Sequence, residues 1–217
     1  MIETENREIL RYLGYSNRTA PDPRVLSDIE KCKAELLEAV SPKCVTRIFD
    51  PVFDESRSIV EIGGMRVESR GFYRHMQGCR QAVLFAATLG IGADRLISRS
   101  QVYSMSKAVV FQAAAAAMIE AYCDSICAKI SQEAALRGLY AKTRFSPGYG
   151  DFPIQHQRAF CELLNTSQSI GLTLTDSCMM IPSKSVTAVV GLCESCTPET
   201  AAAKCKTCTL THCVYKE

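Results

Sequence analysis

SMSKAVVFQAAAAAMIEAYCDSICAKISQEAAL, residues 104–136, is the stretch that sets the architecture. It contains no Gly or Pro and is loaded with alanine, the strongest helix former. It predicts one long helix whose small side chains let another backbone approach closely. Gly138 follows it, able to adopt the left-handed conformation that ends helices. On the N-terminal side, residues 4–13 (TENREILRYL) and 24–39 (RVLSDIEKCKAELLEA) repeat apolar residues at helical spacing, with Pro21 and Pro23 between them. Residues 43–51 (KCVTRIFDP) read as a strand. Residues 58–62 and 65–68 read as a hairpin turning at Gly63-Gly64. The apolar run 82–89 (AVLFAATL) reads as a buried strand, and 93–100 as a short helix. On the C-terminal side, 142–153 is a Gly/Pro loop and 153–164 a helix that opens on proline, where a missing N–H costs nothing. Residues 172–175 and 186–192 are β-rich. Strands early and late around a long helix predict an α+β fold rather than a regular βαβ alternation.

Composition narrows the function classes. The chain has 217 residues, 47% hydrophobic and 22% charged, with a net charge of +2. That supports a buried core and gives no field that would gather nucleic acid or an anionic membrane. The run 108–119 is apolar but interrupted by Gln112, and too short for the roughly 20 residues a bilayer requires. The start, MIETENREILRYLGY, is acidic and amphipathic, unlike a secretory signal, so the expectation is a reducing, cytoplasmic setting. Among the 12 cysteines, Cys32, Cys44, Cys79, Cys123, Cys127, Cys161 and Cys178 are scattered and read as small buried hydrophobes.

The remaining five crowd the C-terminus: Cys193-x2-Cys196, then Cys205-x2-Cys208, then Cys213. Paired C-x2-C turns can each offer two thiolates to one ion. Tetrahedral zinc, an iron–sulfur cluster and no metal at all stay open, and the fifth thiol is spare for either metal. The natural division is a folded domain over 1–192 and a cysteine-rich tail over 193–217. LGIGAD (residues 89–94) lacks the third glycine of a dinucleotide loop, since Arg95 stands there, so it reads as a strand-to-helix turn.

The loop RFSPGYGDFP, residues 144–153, carries the chemistry. Gly148 and Gly150 bracket Tyr149, and Pro147 stiffens the approach. Arg144 can pair bidentately with a carboxylate. A tyrosine face can stack on a flat ring or cover a cation. A ligand with a carboxylate, a cationic centre and an adenine would suit this set, although composition alone also fits an ordinary Gly/Pro turn.

RFSPGYGDFP resembles the R-P-A-P-G-Y-P-type motif of the activation domain of cobalamin-dependent methionine synthase. IGLTLTDSCMMIPSKSVTAVVGL resembles the stretch that follows it there, and MIEAY around Glu120 resembles the family's A-E-A-F helix segment. The resemblance implies a twisted, mainly antiparallel sheet with flanking helices including one long Ala-rich helix. It implies an S-adenosylmethionine site with Arg144 on the ligand's carboxylate, Ser146 in backbone contact, Gly148 and Tyr149 against the ligand, and Glu120 beside them. It implies a stand-alone accessory module rather than a catalyst acting alone. That module would support reductive methylation of cob(II)alamin, with the cobalamin held by a partner. The partner would be a cobalamin-dependent methionine synthase lacking its own activation domain, or another corrinoid protein, with a flavodoxin- or ferredoxin-type electron donor. The alternative class is an iron–sulfur or zinc protein serving as electron carrier or adaptor for corrinoid methyl transfer. The resemblance assigns no role to the cysteine tail, where Cys193, Cys196, Cys205, Cys208 and Cys213 remain candidate metal ligands.

Overall fold

The computed structural model describes residues 2–15 and 21–195. Two helices open the chain, α1 (Asn6–Tyr12) and α2 (Pro23–Ala39). The start of α2 is fixed locally: Pro23 sits at its first position, and the Asp22 carboxylate accepts from the Arg24 amide at 2.7 Å. Strands β1 (Lys43–Phe49), β2 (Val52–Asp54), β3 (Ile59–Ile62) and β4 (Met65–Glu68) follow. Helix α3 (Arg70–Met76) leads into β5 (Cys79–Thr88), then α4 (Ile91–Tyr103) and the long α5 (Met105–Ala135). The chain continues through β6 (Tyr140–Ala141), α6 (Gln157–Leu164), α7 (Thr166–Ile170), β7 (Thr173–Leu174), β8 (Met180–Ile181) and β9 (Ser185–Cys193).

The main sheet runs β1-β5-β9-β6 with every pairing antiparallel. A second sheet, β2-β3-β4, is a meander turning at Gly63 and Gly64, whose φ values of 58° and 86° supply the left-handed pair that a two-residue hairpin needs. The α+β class and the mainly antiparallel sheet expected from the sequence are what the chain adopts.

Side chains alternate across β5 because successive strand residues face opposite ways. Val83, Phe85 and Ala87 join the core shared with α1, α2, α4 and α5, together with Ala188, Val190 and Leu192 of β9. Ala82, Leu84 and Ala86 join a second core with the meander, α3 and α6, rich in Phe72, Phe145, Phe152 and Phe160. Burial on both faces explains why this strand reads as a continuous apolar run. Ala113, Ala114, Ala115 and Ala117 are buried on α5. Alanine itself removes little area from water; its value here is close approach to the sheet. By length and composition α5 could cross a membrane, but 56% of its most apolar window is buried, as for the core helix of a globular domain.

Several elements depart from the expectation. The predicted strand 43–51 ends at Phe49, and β2 starts at Val52 after Pro51, which cannot donate to a ladder. The helix expected over 153–164 opens with a 3-10 turn at Ile154–His156 before α6 begins. Helix α4 runs from Ile91 to Tyr103, longer than the 93–100 expected. Helices α3 and α7 and strands β2, β6 and β8 were not expected at all; all have seven residues or fewer. Gly92 of the LGIG turn has a packing reason: a Cβ there would fall on the carbonyl oxygen of Ala39 at the end of α2. Glycine thus serves the contact between α4 and α2.

Candidate functional site

The loop at 144–153 is an extension of the sheet edge. Beyond β6, the Lys142 amide donates to Gly191 O at 2.8 Å, and Phe145 and Val189 exchange both backbone bonds at 2.9 Å. Residues 140–145 therefore lie along β9, and strand alternation splits two neighbours to opposite faces. Phe145 enters the aromatic core, with ring centroids 5.6 Å from Phe72 and 6.2 Å from Phe152. Arg144 points the other way, onto α5.

On α5 the guanidinium meets two carboxylates one turn apart. Arg144 Nη2 donates to Glu120 Oε2 at 2.6 Å, and Nη1 donates to Asp124 Oδ1. Cys127 Sγ lies 4.0 Å from Nη1. The Arg144 side chain is 19% exposed, against 43% for Glu120 and 71% for Asp124. Burial alone would lower the Arg144 pKa, but the hydrogen bond and charge of Asp124, then the charge of Glu120, outweigh it and hold the group above its usual range. Beneath this cluster, burial pushes the Cys123 thiol up to about 12, with Arg144 pulling it down and Glu120 adding to the rise. Cys123 is thus a buried neutral thiol, as its position on the helix suggested, while Cys127 is half-buried beside the guanidinium.

After Phe145 the chain makes a tight turn. The Tyr149 amide donates to Ser146 O at 3.1 Å, and the Gly148 amide to Phe152 O at 2.8 Å. Gly148 has φ +89°, so its conformation requires glycine, and a Cβ there would also come 2.9 Å from the Ile154 Cδ1 methyl, which would have to shift. Tyr149 is 51% exposed, with its ring held edge-on by Phe145 at 5.2 Å. The far end of the loop is pinned by Asp151. Its carboxylate accepts from the Ser69 hydroxyl at 2.6 Å and from the Gly71 amide at 3.1 Å, in the first turn of α3. On the near side, His75 Nε2 meets Thr143 O at 2.8 Å, and Lys142 Nζ donates to the carbonyls of His75 and Gln77.

The five residues expected to surround a ligand therefore fall into two groups joined through Phe145. Arg144 and Glu120 are in direct contact, and Ser146, Gly148 and Tyr149 share one turn that is exposed at Gly148 and Tyr149. Sequence reasoning missed Asp124 and Asp151. The signal for Asp124 was present, because it stands four residues after Glu120 and so shares its helix face. Asp151 had no comparable signal, since its partners are about 80 residues away.

Of the five tail cysteines, Cys193 closes β9. It is 2% exposed, is paired in register with Cys79, and its Sγ–H donates to Tyr140 O at 3.5 Å. Cys196, Cys205, Cys208 and Cys213 lie outside the described residues. Among the described residues, no group of three His, Cys, Asp or Glu side chains is placed to hold a metal ion.

No curated protein is similar to the chain at a significant level. The fold is similar to a crystal structure of the MetH reactivation domain bound to AdoHcy, with a TM-score of 0.62 and 18% identity over 88% of this chain and 76% of that one. The sequence profile described as vitamin B12 dependent methionine synthase, activation domain, matches residues 74–195. That span takes in β5, α5, the Arg144 loop and β9, more than half of the chain, and on it the chain belongs to the vitamin B12-dependent methionine synthase activation domain family.

Proposed function

We propose that this protein binds S-adenosylmethionine at the Arg144 loop and presents it to a corrinoid held by a partner, supporting reductive methylation of cob(II)alamin. The observation that carries the reading is the Arg144–Glu120–Asp124 cluster on the same loop as the exposed Tyr149. Its chemistry fits the ligand. A guanidinium suits the carboxylate, the Glu120 carboxylate on α5 suits a cationic centre, and the Tyr149 ring offers a face for adenine. The family match and the AdoHcy-bound fold relative support the same choice.

The partner's corrinoid would supply the methyl acceptor and an external donor its one electron, while this chain would hold the S-adenosylmethionine that gives up its methyl group and leaves as S-adenosylhomocysteine. The protein's own part is to hold the methyl donor in a reactive orientation, and such positioning contributes several kcal/mol to group transfers. The partner would be a cobalamin-dependent methionine synthase without its own activation domain, or a related corrinoid protein, with a flavodoxin- or ferredoxin-type donor. Titration calorimetry with S-adenosylmethionine tests the binding step, and pull-down with a synthase lacking the module tests the docking step.

The cysteine tail carries a second role in this reading. In this reading Cys196, Cys205, Cys208 and Cys213 are the ligand set, and Cys193, buried at the end of β9, is the spare fifth thiol. Four thiolates complete either a zinc site or one iron–sulfur cluster. Broad absorbance near ~400 nm in anaerobically purified protein would favour the cluster and an electron-carrying role. A colourless protein with one zinc would favour a structural tail.

A further inference from the structure

We propose that Asp124 is a built-in stand-in for the ligand's carboxylate, so that Arg144 exchanges one partner when ligand binds. The inference rests on the reading that Arg144 receives that carboxylate. Both terminal nitrogens of Arg144 are already engaged, Nη2 by Glu120 at 2.6 Å and Nη1 by Asp124. A carboxylate that pairs side-on with the terminal edge draws on both of those nitrogens and so competes with the resident acids for their N–H groups.

The two residents are unequal. Asp124 is 71% exposed and Glu120 43%. Asp124 recovers water at once on release, and an ion pair to so exposed a partner is weak. Its position favours the exchange too. Asp124 stands one helical turn after Glu120 on α5, so a released carboxylate has only to turn outward. Arg144 meanwhile keeps Glu120 and stays aimed. With no ligand, Asp124 keeps a mostly buried guanidinium hydrogen-bonded. With ligand, it yields its place. The exchange penalises every ligand that carries the carboxylate and spares those that lack it.

That difference supplies the test. S-adenosylhomocysteine carries the amino-acid carboxylate; 5′-methylthioadenosine keeps the nucleoside thioether without it. Both are titrated into the full chain and into Asp124→Asn, which keeps the side chain's shape and removes its charge. S-adenosylhomocysteine should bind Asp124→Asn about two- to fivefold more tightly, the range expected for losing one exposed ion pair as competitor. Binding of 5′-methylthioadenosine should not change. In an Arg144→Ala background the Asp124→Asn effect should vanish. Unchanged or weaker binding of S-adenosylhomocysteine overturns the proposal, as does equal tightening of both ligands. If neither ligand binds the unaltered protein, the ligand reading itself fails and takes this inference with it.

Discussion

Asp151→Ala removes the pin that holds the ligand loop to α3. Two donors lose their acceptor, the Ser69 hydroxyl at 2.6 Å and the Gly71 amide at 3.1 Å, and Ser69 also caps the Phe72 amide at 3.0 Å. Hydrogen bonds to a charged acceptor are each worth roughly 1.5–3 kcal/mol when sheltered. This carboxylate is exposed, and screening lowers the expectation to about 1–2 kcal/mol for the pair. For a domain of this size, each kcal/mol moves Tm by roughly 2–4 °C, so a fall of about 2–8 °C is expected. The effect has a pH signature. Burial pushes the Asp151 carboxyl up, but the Ser69 hydroxyl and the α3 amides outweigh it and hold the group below the usual aspartate range. A carboxyl with a lowered folded pKa stabilises above its unfolded pKa, and that contribution is lost as pH falls through the folded value. The gap between the unaltered protein and Asp151→Ala should therefore be full at neutral pH and close in acid below about pH 4. Gly71→Ala would place a Cβ 2.6 Å from Asp151 Oδ1 and should erase the same acid-dependent increment, although alanine suits a helix better. Thermal melts followed by circular dichroism at pH 7 and in acid measure this. A melting point within 1 °C at pH 7, or a gap that persists undiminished in acid, would refute the pin.

Gly148→Ala meets both a φ of +89° and the Ile154 methyl, and should cost about 1–3 kcal/mol while weakening S-adenosylmethionine binding; denaturant melts and calorimetry read the two effects separately. Gly92→Ala forces α4 away from the end of α2, and about 3 kcal/mol in denaturant melts or a failure to accumulate as soluble protein is expected. Cys193→Ser should leave the metal content of the purified protein unchanged, whereas Cys205→Ser or Cys208→Ser should abolish it; elemental analysis distinguishes them, and loss of metal from Cys193→Ser would return that thiol to the ligand set.

What was legible in the sequence follows from how local each signal is. Helix α5 could be read almost to the residue, because an uninterrupted alanine-rich stretch needs no tertiary help to declare itself. The β3–β4 hairpin was equally local, since Gly63-Gly64 alone dictates the turn. Helix α3 was not legible: Gly71 weakens its propensity, and its start depends on Ser69 and on a carboxylate from elsewhere in the chain. Strand β6 is two residues long and exists only because β9 offers an edge. The ligand loop was legible as chemistry, in its Arg, Gly and Tyr, but the partners of Arg144 were not. Glu120 came from resemblance. Asp124 needed the helix face and the strand edge to be brought together, and the distance in sequence, 20 residues, hides that contact.

The central claim is that the Arg144 loop is an S-adenosylmethionine site. Titration calorimetry of S-adenosylmethionine into the full chain, repeated with Arg144→Ala, tests it most directly. One ligand should bind per chain, with affinity reduced at least about tenfold when the charge-assisted pair to the carboxylate is removed. Absence of binding to the unaltered protein, or equal binding to Arg144→Ala, would contradict it.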